Sequence, residues 1–302
     1  MNNENKNLKE EILKTIIWFD LFSHPLTTYE IFKYVNYSTN LSDIIDELEN
    51  LSDKVENKKG FYFFKGRESI VEERFKTLNY FNQKIKKAKR FSRLISLWPF
   101  IQGIAVSNII GDHNLRGKSD IDFFIITSSR RIWLTRFFCT FLAKSLGLRP
   151  NKKTKRNKIC LSFYISNDNL DLENYSYNAK DLYSVYWLAG IEVIYNYKNI
   201  FSKFYKANYW VKKYLPNLNL DDQNLSFLEE EKNRENNFSF GFLDFLEKFS
   251  KKIQLRIMPK KLKDQVGKSS GVLLEDNIIK LFLEERRSVF IEKYEECLDN
   301  IK

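Results

Sequence analysis

The stretch SDIDFFIIT, residues 119–127, sets two carboxylates, Asp120 and Asp122, at the head of an apolar run. Phe123 to Ile126 are aromatic or β-branched without a polar break, which is how a strand buried on both faces reads. In an extended chain residues two apart face the same way, so the two side chains project together as a two-carboxylate claw. Oxygen ligands of this kind, with positions left over for water and phosphate, suit a hard divalent cation. A cation held there would neutralise a triphosphate and align an attacking hydroxyl, and the implied chemistry is phosphoryl or nucleotidyl transfer. Asp-x-Asp at a strand start also serves as a turn cap that stays in water, and the pair alone leaves both readings open.

The flanking elements must hold the claw in place. FIQGIAVSN (residues 100–108) reads as a strand, and the polar loop IIGDHNLRGK leads from it into the aspartate strand. RRIWLTRFFCTFLAKSLGL (130–148) has the length and period of a helix, and KICLSFYIS (158–166) reads as a third strand, with Cys160, Ser162 and Tyr164 on one face. That strand has no acid; Asp168, Asp171 and Glu173 follow it. Strand, loop, strand, helix, strand predicts a mixed sheet over residues 100–166, within a core region of residues 100–177.

Upstream, LKEEILKTIIWFDLF (8–22) carries apolar residues at helical spacing, and Pro25 breaks the pattern. Thr27 with Glu30 three residues on is a capping box for a second helix. LSDIIDELENL (41–51) fits a third helix, and VENKKGFYFFKG (55–66) predicts a hairpin turning at Lys59-Gly60. Three short helices and a hairpin predict a winged helix-turn-helix over residues 1–66. A DNA-reading third helix needs Arg, Lys, Asn or Gln, and this one carries Asp43, Asp46, Glu47 and Glu49, which repel phosphate. The charge argues against DNA readout and for docking against the rest of the chain or a protein partner. Residues 67–99 read as a basic linking helix, and residues 178–302 as a mainly helical region with a linker candidate at 229–237. Tyr205, Tyr209, Trp210 and Tyr214 recur at the spacing of core packing.

The chain has 302 residues, and its 43% hydrophobic content is enough to build sizeable cores. Its three cysteines are far apart and it has only two histidines, which removes disulfide and zinc scaffolds from consideration. The start, MNNENKNLKEE, is charged, and no stretch approaches the roughly 20 apolar residues of a membrane span. The expectation is a cytoplasmic protein without a membrane partner. A net charge of +11 favours a polyanionic partner such as RNA or a nucleotide. Two segments concentrate the excess: Lys84, Lys86, Lys87, Lys89, Arg90 and Arg93 in the linking helix, and NKKTKRNK at 151–158; each reads equally as a solvated face.

With SDIDFFIIT preceded by VSNIIGD, and with FDLFSHPLTTYEI (19–31) and IWLTRF (132–137), the sequence resembles the nucleotidyltransferase fold of polymerase-β-like enzymes. More specifically it is similar to bacterial nucleotidyltransferase-domain proteins with an N-terminal winged helix, over most of residues 8–216. The resemblance implies an α+β fold with a nucleotidyltransferase-like mixed sheet and a metal-dependent transfer of a nucleoside monophosphate from an NTP to a hydroxyl acceptor. It implies Asp120 and Asp122 as catalytic metal ligands for Mg2+ or Mn2+, and Ser107, Asn108 and Ser119 as nucleotide-binding residues. The family's strand ends in Gly-Ser, where this chain offers Ser107-Asn108 by polarity or Asn108-Ile109 by spacing, neither with the glycine. The family's third acid would fall within 158–166, which has no acid and where the resemblance puts Ser162 in its place. These departures define the alternative, a catalytically degenerate relative that binds nucleotide or nucleic acid or acts as a regulator. Two other motifs carry little: VGKSS (266–270) has Leu262 where a P-loop needs its first glycine and reads as a helix-end turn, and His113 is a lone loop histidine.

Overall fold

The computed structural model describes residues 7–151, 154–176, 181–220, 240–283 and 286–299. Lys152, Lys153 and the linker candidate at 229–237 lie outside these residues. α1 (Leu8–Asp20) starts at Asn7, whose side chain accepts from the Lys9 amide. α2 (Thr28–Tyr34) starts at the expected capping box: Thr27 accepts from the Glu30 amide, and Glu30 accepts in return from the Thr27 amide at 2.8 Å. α3 (Leu41–Glu49) is capped by Asn40. β1 (Val55–Lys58) and β2 (Phe61–Phe64) pair antiparallel across Lys59 and Gly60, both at positive φ (57° and 81°), as a two-residue hairpin turn of this type requires. α4 (Ser69–Ile95) is the long basic helix.

The remaining elements build one mixed sheet. β3 (Ile101–Val106), β4 (Ile121–Thr127), α5 (Ile132–Ser145) and β5 (Ile159–Ser166) fall where the sequence places them. They are followed by α6 (Leu182–Ala189), β6 (Glu192–Asn196), α7 (Ile200–Ala207), α8 (Phe240–Ile257), α9 (Lys260–Lys263), β7 (Val272–Leu274), β8 (Ile278–Leu281) and α10 (Arg287–Asp299). The six strands lie in the order β6-β3-β4-β5-β8-β7, with β4 and β5 parallel and the other neighbours antiparallel. The architecture is α+β. β4 sits inside the sheet and is dry on both sides: Phe123 and Ile125 pack with α4 and α5, while Phe124 and Ile126 pack with α6 and α7.

Among the described residues after 178 helices predominate, and three of the six strands come from this region as well. α6 stops at Gly190, and the β-branched Val193 and Ile194 continue as β6 against β3. The β7–β8 hairpin joins the sheet through β5, a long-range pairing with no local signature. VGKSS does form turns after α9, with Gly267 at φ 73°. Tyr205 is core, as its spacing predicts, whereas Tyr209 is exposed.

The first three helices dock onto the rest of the chain. Trp18 stacks on Tyr186 of α6 at 5.2 Å, Phe19 and Tyr34 close on the same ring, and one cluster of buried side chains runs from α1–α3 through α6 and α7 to the sheet. A buried polar cluster lies beside it. Arg74 of α4 donates to Glu30 at 2.6 Å, contacts His24 and donates to the Asp112 carbonyl; Asp112 accepts from Lys33 at 2.8 Å and from the Tyr34 hydroxyl. Gly111 has a positive φ of 85° and abuts the His24 ring, so a Cβ there would collide with it. The loop that precedes the aspartates is thereby tied to the N-terminal helices.

Burial works against the Glu30 carboxylate, but hydrogen bonding from His24 and the charge of Arg74 outweigh it and pull the carboxyl from 4.5 down to about 2. A depressed carboxyl stabilises the fold above its unfolded value, and that stabilisation fades as pH falls through its folded value. Glu30→Gln leaves the Arg74 charge buried without its partner and is expected to lower the unfolding free energy at pH 7 by roughly 3–5 kcal/mol. In urea titrations the deficit should shrink as pH drops from 4.5 toward 2; a deficit independent of pH would contradict the ion pair.

Candidate functional site

The alternation of β4 decides where the aspartates point. Asp122 is in step with Phe124 and Ile126, not with Phe123 and Ile125, so it emerges on the α6–α7 side of the sheet. Asp120, two residues earlier, joins it, and both open into a cavity of about 500 Å³. The backbone that carries them is braced from the adjoining strand and from the helix behind. Ser107 donates its amide to the Asp122 carbonyl at 2.9 Å. Asn108 bridges the claw: its Nδ2 donates to the Asp120 carbonyl at 3.1 Å, and its Oδ1 accepts from the Asp122 amide at 3.4 Å.

Of the expected nucleotide-binding residues, Ser107 and Asn108 line the cavity, with the Asn108 amide engaged by the claw's own backbone. The Ser119 hydroxyl turns back to the Arg116 carbonyl at 2.9 Å, and Ser119 is not among the lining residues. His113 packs edge-on against Phe81 of α4 and is not a lining residue either.

β5 supplies the facing wall. Asp122 pairs with Cys160, and a β-bulge follows, so that Phe124 pairs with Phe163 and β5 has one residue more than β4 between the two pairings. The bulge corrects the expected face. Cys160 and Ser162 stay together, Sγ to Oγ 2.9 Å, but Tyr164 turns to the other side of the sheet with Ile159 and Leu161. A ligand atom from each of Asp120, Asp122 and Cys160 lies within 4.8 Å of the others. Among the described residues no third carboxylate joins this group. Asp168 lies at the far end of β5, where it accepts from Ser129 and Ser166.

Lysines enter the site from both basic segments. Lys84, which a basic helix face would place in solvent, is buried beneath the loop and donates to the Ser119 carbonyl. Its signal in the sequence is its position on the apolar stripe of Phe81, Ile85, Ala88 and Phe91. Lys155 of the 151–158 segment lines the cavity. The remaining wall comes from chain that sequence reading does not connect to the claw: Tyr183 and Trp187 of α6, Trp210, Lys280 of β8 and Arg287. Arg287 is anchored by Asp181 at 3.0 Å, and Lys280 lies over the Phe163 ring at 5.8 Å.

Electrostatically the claw is under tension. Burial, reinforced by the charge of Asp120, pushes the Asp122 carboxyl from 3.8 up to about 7. Burial pulls the Lys84 ammonium from 10.5 down to about 8, against the attraction of Asp120. Burial and the neighbouring Asp122 keep the Cys160 thiol protonated. Two partly buried carboxylates that repel one another, beside an open cavity, fit a divalent cation, and the thiol is the one soft donor in the set. Comparison of the chain with protein-family models, with curated proteins and with solved structures finds no match.

A raised carboxyl contributes its full stability below its unfolded value and loses it as pH rises toward its folded value. In EDTA, Asp122→Asn is therefore expected to melt with the parent protein near pH 4 and above it at pH 8, with the gap opening between 3.8 and about 7. Each kcal/mol regained corresponds to roughly 2–4 °C. Equal melting temperatures at pH 4 and pH 8 would show that the claw is not strained.

Proposed function

We propose that this chain is a metal-dependent nucleotidyltransferase that moves a nucleoside monophosphate from an NTP to a hydroxyl acceptor. One observation carries the reading: Asp120 and Asp122 stand side by side at the head of a sheet strand, at the mouth of a cavity large enough for a nucleotide. The strand–loop–strand–helix–strand order around them supports it, as does the SDID sequence itself. On this reading the first three helices and the β1–β2 hairpin are a winged helix-turn-helix that braces the site. The acidic α3 is then no reader of DNA, while RNA or another polyanion remains a partner for the basic segments.

Asp120 and Asp122 would hold Mg2+ or Mn2+. The cation would supply charge neutralisation on the triphosphate and alignment of the attacking oxygen. Lys155 offers a further positive charge at the cavity wall, and Lys84 fixes the Ser119–Asp120 backbone so that both carboxylates keep their direction. Tyr183, Trp187 and Trp210 give the deeper cavity flat apolar surface for a base or an acceptor.

A second reading, nucleotide binding without turnover, is favoured by Cys160 standing in register with Asp122 where a third acid would act, and by the Asn108 amide being committed to the claw. One experiment separates the two. Labelled NTPs are incubated with the protein, Mg2+ or Mn2+ and a cell extract, and metal-plus-NTP thermal shifts are recorded in parallel. An active enzyme transfers label and shows a shift, and Asp122→Asn loses both by at least roughly a hundredfold in rate while keeping its fold. A shift without transfer supports the binding-only reading. Neither shift nor transfer with any NTP removes the nucleotide site.

A further inference from the structure

The outer side of the α4–α5–α8 layer is predominantly basic, with the exposed Asp276 pairing with Lys251 of α8 at 2.5 Å. From Arg74 to Ile95 α4 contains no acidic residue, and α5 contains none. The two acids of α8 both turn toward the head of α5. Asp244 pairs with Arg130 at 2.8 Å and with Arg131 at 2.7 Å, and Glu247 accepts from the Trp133 and Leu134 amides at 2.8 and 2.9 Å. Facing solvent are Arg90, Arg93, Lys144, Lys248, Lys252 and Arg256.

Large apolar side chains stand among these cations. Leu97 is 70% exposed, Phe141 63%, Phe245 62% and Ile257 73%, and Phe249 stacks on Phe245 at 6.2 Å. The helices form one continuous layer: Trp98, just past α4, stacks on Phe138 of α5 at 4.2 Å, and Phe100, Leu134 and Leu243 join α5 to α8 in a small buried cluster. Exposed apolar surface on this scale marks an interaction site.

We propose that this layer is a docking surface for an anionic lipid bilayer, with Leu97, Phe141, Phe245, Phe249 and Ile257 entering the headgroup region and the surrounding lysines and arginines facing lipid phosphates. Charge complementarity selects the occupant. A second copy of this surface would bring cations against cations. A nucleic acid matches the charge but gains nothing from Leu97 and Ile257, because bases stack on aromatic and guanidinium planes and not on aliphatic chains. A bilayer takes both kinds of side chain. Among the described residues no helix is long and apolar enough to cross a membrane, so the contact lies in the plane of the interface. The carboxylate cavity opens on the opposite face of the sheet and would stay in solution.

The test is co-sedimentation of the full chain with vesicles of phosphatidylcholine alone or mixed with phosphatidylglycerol, in about 0.1 M salt. The expected result is partitioning at least roughly tenfold stronger onto the anionic vesicles, weakened by salt. Phe245→Ser with Phe249→Ser, and separately Lys248→Glu with Lys252→Glu, should each lower it roughly tenfold with unchanged melting, since all four side chains are exposed. Tyr29→Ser, on α2, should leave it unchanged. Brominated phospholipid should quench part of the tryptophan fluorescence of the parent protein, and less of it in Trp98→Phe, because Trp98 is the tryptophan next to the exposed Leu97. Equal, background-level partitioning onto both vesicles overturns the inference, as does anionic binding that the phenylalanine variant leaves intact. An RNA complex that displaces the vesicles and is lost in that same variant, or dimerisation lost in it, would assign the surface to another occupant and equally overturn the lipid.

Discussion

Two like charges share one face at the end of a strand whose following side chains are dry on both sides, and the rest of the site is arranged around that repulsion. A free loop would let the carboxylates swing apart. Here the Asn108 side chain ties both aspartate backbones to the end of β3, and Lys84 reaches up from α4 to the Ser119 carbonyl. The tension is held by backbone contacts, with the Cys160 thiol donating to the Asp122 carboxylate beside them. Groups with strongly shifted ionisation in a cleft are what a functional site requires, and Asp122 and Lys84 are both of this kind.

The same logic explains the N-terminal helices. The loop between β3 and β4 contains Asp112, and its carbonyl and carboxylate are taken up by Arg74, Lys33 and Tyr34, while Arg116 donates to the Phe22 carbonyl at 3.2 Å. α1, α2 and α4 thus clamp the loop from behind. A buried pair such as Arg74–Glu30 adds little net stability over an apolar equivalent, but it is strict about geometry, since either partner left alone is costly. Its use here is to fix the loop to the helices, and through the loop the direction of the claw. The acidic face of α3 is compatible with this role because a brace needs no phosphate contact.

What could be read from the sequence was local. Thr27 with Glu30, Lys59 with Gly60, and the unbroken apolar run after Asp122 each carry their own instructions, and each appears as expected. What could not be read depends on partners distant in the chain. Nothing near Ile278 says that it will pair with β5, and nothing in KICLSFYIS marks the bulge that sends Tyr164 to the far face. The strand after Gly190 is defined only by β3 lying alongside. Lys84 is the instructive case: composition counts it with the solvated lysines, while the 3.6-residue period counts it with Phe81 and Ile85. Periodicity proved the better guide, because burial follows the helix face and not the residue's polarity.

A cysteine beside the two aspartates, Cys160, sets the charge of the cluster as well as its ligands. Its thiol stays protonated, so the cluster carries at most two negative charges, and Lys84 and Lys155 lie close enough for both to act on Asp122. One divalent cation matches the charge of the claw itself, and a bound triphosphate would bring negative charge of its own for any further cation. On the nucleotidyltransferase reading, the wall away from the claw is made of protein groups, where Lys280, Arg287 and the Trp187 and Tyr183 rings are the chemistry available.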